Sequence, residues 1–187
     1  YIEVGTSISR TGRVFPTYLI FKPSMFLTSF LLVKYWFFNK DIIIKINGGH
    51  KHLKKIVNFG VASAIALTLH SIFLGVKFEY HLYKIFKRII MLMFIIFEMV
   101  AQIYLVIILY SFKKKLANYI YSKILKLKIM LISILVIVAC ISIPIISLPG
   151  DQFFGFNLKY FKHALEWDYF IAVISFYLLS FLMWKKV

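Results

Sequence analysis

Five apolar runs alternate with short basic segments along the chain. They cover about residues 16–38, 56–76, 89–112, 129–148 and 167–184. Each is close to the roughly 20 residues that a helix needs to cross a hydrocarbon core of about 30 Å. The pattern predicts an all-α, polytopic transmembrane helix bundle with five visible spans, residues 1–187 forming a single transmembrane domain. The third run, Ile89–Phe112, is almost entirely apolar and carries one charge, Glu98, and one amide, Gln102. An acid at the middle of a spanning helix costs about 2.5 kcal/mol or more on insertion scales, so it is expected to face other helices.

The spans differ in detail. In the first, Pro23 is expected in the opening turn, where its missing N–H costs little. Lys34 and the aromatic pair Tyr35–Trp36 close that span, and Lys34 is expected to reach the headgroups as an interfacial anchor. The second carries Gly60, Ala62, Ser63, Ala64 and Ala66, a small-residue surface that lets a neighbouring helix approach closely, and is expected to be interior. The segment Lys77–Arg88 mixes aromatic and basic residues and reads as interfacial. Pro144 falls inside the fourth span and should bend it. Tryptophans 167 and 184 bracket the last. In the loops, Asn47–Gly48–Gly49 is a turn signal.

Composition strengthens this assignment. The 187 residues are 61% hydrophobic and 19% aromatic, with a formal charge of +16. The lysines and arginines lie between apolar runs, so the charge speaks for orientation and for contact with anionic lipid headgroups, and nucleic acid is excluded as a partner for want of a soluble domain. Basic residues number 13 in segments 39–55, 113–128 and after Trp184, against 8 before Pro16 and in 77–88 and 149–168. The positive-inside rule then places the carboxyl terminus and loops 39–55 and 113–128 in the cytoplasm. With Tyr1 external the count is odd, and a helix upstream of Tyr1 is expected, making six.

Chemistry is sparse. The single cysteine, Cys140, reads as a small buried apolar residue and excludes an intramolecular disulfide. His50 and His52 sit among lysines, and this basic turn lacks further metal ligands. No nucleotide loop, zinc-protease helix or nucleophile elbow occurs, no cofactor is implied, and the balance leans away from an enzyme. One intramembrane candidate remains. Measured from the outer ends of the second and third runs, His70 and Glu98 lie at depths of roughly 9 Å and 13–14 Å and could meet, with Gln102 one turn on from Glu98. Two readings stand: His70, Glu98, Gln102 and Asn58 fix helix packing through interhelical hydrogen bonds, or His70 and Glu98 form a proton or cation site. A second cluster, His163, Glu166 and Asp168, is expected in the first turn of the last helix, where acids favour the positive helix end.

The amino-terminal loop adds a resemblance. Ile8–Ser9, Gly12 and Pro16 before an apolar run, and Glu166–Trp167 opening the last helix, resemble the damage-regulated autophagy modulator family, of the FGF-receptor-activating-protein type. That family's loop reads Tyr-Ile-Ser-x-x-Gly-x-x-Pro-Pro-Glu, and this chain departs from it at Phe15 and Thr17. The resemblance implies six helices with both ends cytoplasmic and a role in membrane lipid organisation or glycolipid-anchor remodelling, with no defined catalytic residues.

Overall fold

The computed structural model describes residues 15–74, 81–147, 152–153 and 156–185. Helix is the dominant element: α1 Thr17–Asn47, α2 Leu53–Phe73, α3 His81–Ser111, the single turn α4 Lys113–Leu116, α5 Ser122–Ser147 and α6 Leu158–Leu182. The all-α expectation holds, with one local exception. A two-residue strand β1, Gln152–Phe153, pairs antiparallel with β2, Phe156–Asn157, just ahead of α6.

Among the described residues four stretches are long and apolar enough to cross a membrane, Leu53–Phe73, Ile85–Ser111, Ser122–Ile141 and His163–Leu182. That is one fewer than the apolar runs in the sequence. The long helix α1 is the difference: Lys22, Pro23, Ser24, Thr28, Ser29 and Lys34 dilute its apolar stretch.

Most helices outrun the apolar segments that announced them. Charged side chains end an apolar run but do not stop a helix; glycine and proline do. Thus α1 passes through Lys40, Asp41 and Lys45 and stops at Gly48, whose φ of 70° is left-handed and whose N–H returns to the Ile44 carbonyl at 2.7 Å. The turn read at 47–49 is present, but most of the predicted loop 39–55 is helical. Pro23 lies in the second turn of α1, not the first. Similarly α3 begins at His81, so residues 81–88 of the predicted interfacial segment continue the helix. The predicted basic loop 113–128 contains the start of α5, and α5 runs on through Pro144.

The described residues fall into two units, one within Gly12–Phe112 and one within Lys113–Val187. In the first, α2 packs against both α1 and α3, as its small-residue surface predicts. The α1 seam is Ser29, Leu32, Trp36, Asn39 and Ile43, buried at alternating spacings of three and four. Trp36 is therefore a core residue, and its indole lies on Gly60, where a Cβ would collide with the ring. Lys34, two residues earlier, is exposed over the Phe30 ring at 4.7 Å.

In the second unit α5 and α6 pair. The chain end closes this hairpin. Ile120 and Trp184 form a bridge, Tyr121 N–H donates to the Met183 carbonyl at 2.9 Å, and Lys185 N–H donates to the Tyr119 carbonyl at 2.8 Å. Leu116, Ile120 and Met183 are buried there. Cys140, expected to be buried, is on the outer surface of α5.

Large apolar side chains face outward and several polar ones inward. Leu82 is 79% exposed, Phe181 78% and Ile20 74%, whereas Glu98 and Lys128 are fully buried and Gln102 is 1% exposed. A water-soluble fold inverts that distribution. A bundle surrounded by hydrocarbon is expected to show it, since polar groups there must be satisfied from within.

Candidate functional site

The α2–α3 pair is built around one acid. Glu98 lies thirteen residues from either end of the apolar stretch Ile85–Ser111, and Ser63 lies ten from either end of α2. The two helices meet at these midpoints. The Ser63 hydroxyl is 2.7 Å from Glu98 Oε2, and Gln102 Nε2 donates to Glu98 Oε1 at 2.9 Å. Gln102 reaches the acid because residues four apart share a helix face. Ser63 reaches it from a buried stretch of small residues in α2. Ser63 Oγ is also 2.8 Å from the Gly60 carbonyl oxygen.

The cluster extends to α1 through Trp36, whose ring sits against Gly60. Two buried polar atoms here have no hydrogen-bond partner among the described residues, the Trp36 Nε1 donor and the Gln102 Oε1 acceptor. What results is a closed, water-excluded carboxyl site spanning three helices. It can hold α2 and α3 together, and it can hold a proton.

Of the residues expected at this site, the structure joins Glu98 and Gln102. His70 is half-buried and stands seven residues, about 10 Å along the α2 axis, beyond Ser63. The depth comparison used the ends of apolar runs, and α3 starts eight residues before Ile89, so its origin was displaced. Asn58 is exposed and takes no part in the buried cluster.

The second cluster is displaced as well. Since α6 begins at Leu158, His163, Glu166 and Asp168 lie in its second and third turns, beyond the reach of the helix N-terminus. Asp168 is exposed and His163 half-buried. Among the described residues no group of three or more His, Cys, Asp or Glu is placed to hold a metal.

Sequence reasoning missed a buried cation. Lys128, assigned to a basic loop, lies inside α5, fully buried, with Nζ donating to Ser180 Oγ at 2.7 Å and 4.1 Å above the Phe176 ring. The signal was spacing: Leu125, Lys128, Ile132 and Leu135 occupy one seam of α5. Ser180 and Phe176, four apart on α6, present an acceptor and a π face to it. Burial removes Lys128 from any set of lysines that could meet lipid headgroups.

At the 48–52 turn, His50 Nδ1 accepts the His52 backbone N–H at 3.2 Å, and the His52 ring lies 5.2 Å from that of Tyr104. Partial desolvation lowers the His52 pKa, and Lys51, His50 and Lys55 lower it further. No family model matches the chain, and no curated protein or solved structure is significantly similar to it.

Proposed function

We propose that the chain is a multi-pass integral membrane protein with a structural, regulatory or lipid-handling role, in which the Glu98, Ser63 and Gln102 cluster fixes the packing of α2 on α3. The observation that carries this reading is the inverted surface, apolar side chains outside and a carboxyl, an amide and a lysine inside. In this reading α1 is a fifth crossing, supported by its outward Leu19, Ile20, Leu27, Phe30 and Leu31. The carboxyl terminus and the basic segments 39–55 and 113–121 face the cytoplasm, where their exposed lysines meet anionic headgroups. The lipid-handling element draws on the resemblance of the amino-terminal loop and of Glu166–Trp167, and so does the sixth helix upstream.

A second reading, a small transporter or intramembrane enzyme using Glu98 with His70, is favoured by the two unpartnered atoms, Trp36 Nε1 and Gln102 Oε1, beside the acid. Alkaline extraction of membranes tests the shared premise: the chain stays in the pellet, and its release into the supernatant would end both readings. Glu98→Gln separates them. Loss of a transport or enzymatic activity with unchanged thermal stability would favour the second.

A further inference from the structure

The α1–α2 turn meets the end of α3 through two imidazole rings. Gly48 and Gly49, with φ of 70° and 130°, lead the chain out of α1, and His50 and His52 follow with their ring centroids 5.2 Å apart. The His50 ring stands nearly perpendicular to that of Phe112 at 5.5 Å, and the His52 ring lies 5.2 Å from that of Tyr104. Both imidazoles are placed for the uncharged form. His50 Nδ1 accepts the His52 backbone N–H at 3.2 Å, so it presents a lone pair and carries no proton. His52 Nδ1 is buried with no hydrogen-bond partner among the described residues, and a proton there would find no acceptor. The same two residues start α2: the His50 carbonyl accepts Leu53 N–H at 3.0 Å, and the His52 carbonyl accepts Ile56 N–H at 3.1 Å.

We propose that His50 and His52 form a proton-sensitive latch: uncharged, they hold the 48–52 turn against Phe112 and Tyr104 at the end of α3, and protonation releases it. An imidazolium donates from both nitrogens and accepts at neither. Charging His50 therefore removes the acceptor of the His52 N–H, and charging His52 puts a donor where nothing accepts it. Two charged rings 5.2 Å apart also repel. Among the described residues their charged neighbours are cations. Lys51, Lys54 and Lys55 share the turn and the start of α2, and Lys55 already lies over the Tyr104 ring at 5.4 Å. From α3 the titratable group is the Tyr104 phenol, and Lys113, Lys114 and Lys115 follow Phe112 in the chain. Near the end of α1 stand Lys45 and one acid, Asp41; both are exposed, and Asp41 is seven residues, about 10 Å along the axis, before Gly48. Desolvation, with Lys51, His50 and Lys55, holds the His52 pKa below its ordinary value, which is the sign that such a latch requires. His50 and His52 precede the apolar stretch Leu53–Phe73, and the latch does not depend on where the helices cross a bilayer.

Hydrogen exchange of the full chain in lipid bilayers, read on the amides of His52, Leu53 and Ile56 at about pH 7.5 and about pH 5, tests the latch. A histidine with an ordinary pKa of about 6.5 that binds its proton only in the released turn favours release by up to about 30-fold at about pH 5. Corrected for the pH dependence of free amides, protection in the wild-type chain should fall by about tenfold or more between the two conditions. It should stay constant in a His50→Asn, His52→Phe double variant: an asparagine oxygen can accept the N–H two residues on, and phenylalanine keeps an aromatic ring against Tyr104. Attraction of a charged His50 to the Phe112 ring opposes release. Wild-type protection that does not change with pH would show that this attraction prevails and would overturn the proposal, as would an equal fall in the double variant. Nitrogen NMR of the wild-type imidazoles gives a check that needs no variant to fold. At neutral pH His50 should carry its proton on Nε2, and a proton on Nδ1 is equally contradictory. Release of the wild-type chain by alkaline extraction would end the membrane reading and leave the latch standing.

Discussion

Gly60→Ala probes the close approach of α1 to α2. A Cβ at position 60 would be driven into the Trp36 indole, which is fully buried and has no free end to swing aside. Overpacking of this kind costs about 1–3 kcal/mol. A locked ring places the cost in the upper half of that range, while alanine returns about 1 kcal/mol of helix propensity. The net expectation is a loss of about 1–2 kcal/mol. For a chain of this size that lowers the unfolding midpoint by roughly 2–8 °C. The assay is thermal or SDS-induced unfolding in mixed micelles, followed by circular dichroism, in wild-type and Trp36→Leu backgrounds. Leucine at 36 leaves room for the added methyl, so in that background Gly60→Ala should be neutral or stabilising. An equal cost in both backgrounds would refute the argument that the indole and the glycine are packed on one another.

Other consequences are open to direct measurement. Lys128→Met should leave the unfolding midpoint unchanged or raise it, since replacing a buried cation by an apolar side chain of similar length is often neutral or stabilising by about 1–4 kcal/mol; Lys128→Ala, which leaves a cavity over Phe176, should lower it. His52 should titrate below the ordinary imidazole value of about 6.5 in an NMR experiment, and Lys51→Gln should move its midpoint upward, because Lys51 disfavours the imidazolium. The sign for stability follows: the unfolded chain takes up the proton first, so the contribution of His52 is complete above about pH 6.5 and declines as pH falls below it.

How far the fold and the site could be read depended on which physical quantity the sequence carries. Apolar length located all five runs, but helix ends are set by glycine, proline and capping, so Gly48 ends α1 nine residues beyond Phe38. Glu98 and Gln102 were legible together because a spacing of four is a property of one helix. Ser63 was seen only as a small residue, because its role depends on the register between two helices, and that register cannot be read from the ends of apolar runs. Trp36 and Lys128 illustrate the same limit differently. Each is of a type usually placed at an interface or in a loop, yet each falls on a buried seam in step with apolar neighbours, Leu32 and Ile43 for one, Leu125 and Ile132 for the other. Seam spacing was the better guide there than residue type.

The central claim is that α2 and α3 are held at their midpoints by the Glu98–Ser63 hydrogen bond. A double-mutant cycle of Ser63→Ala and Glu98→Ala, measured by unfolding in mixed micelles, tests it most directly. Interhelical hydrogen bonds in membrane bundles couple by about 0.6 kcal/mol on average and up to about 1.7, and a hydroxyl donating to a fully buried carboxyl belongs toward the upper end. A coupling energy of about 1–1.7 kcal/mol is the predicted result; strictly additive effects of the two substitutions would contradict it.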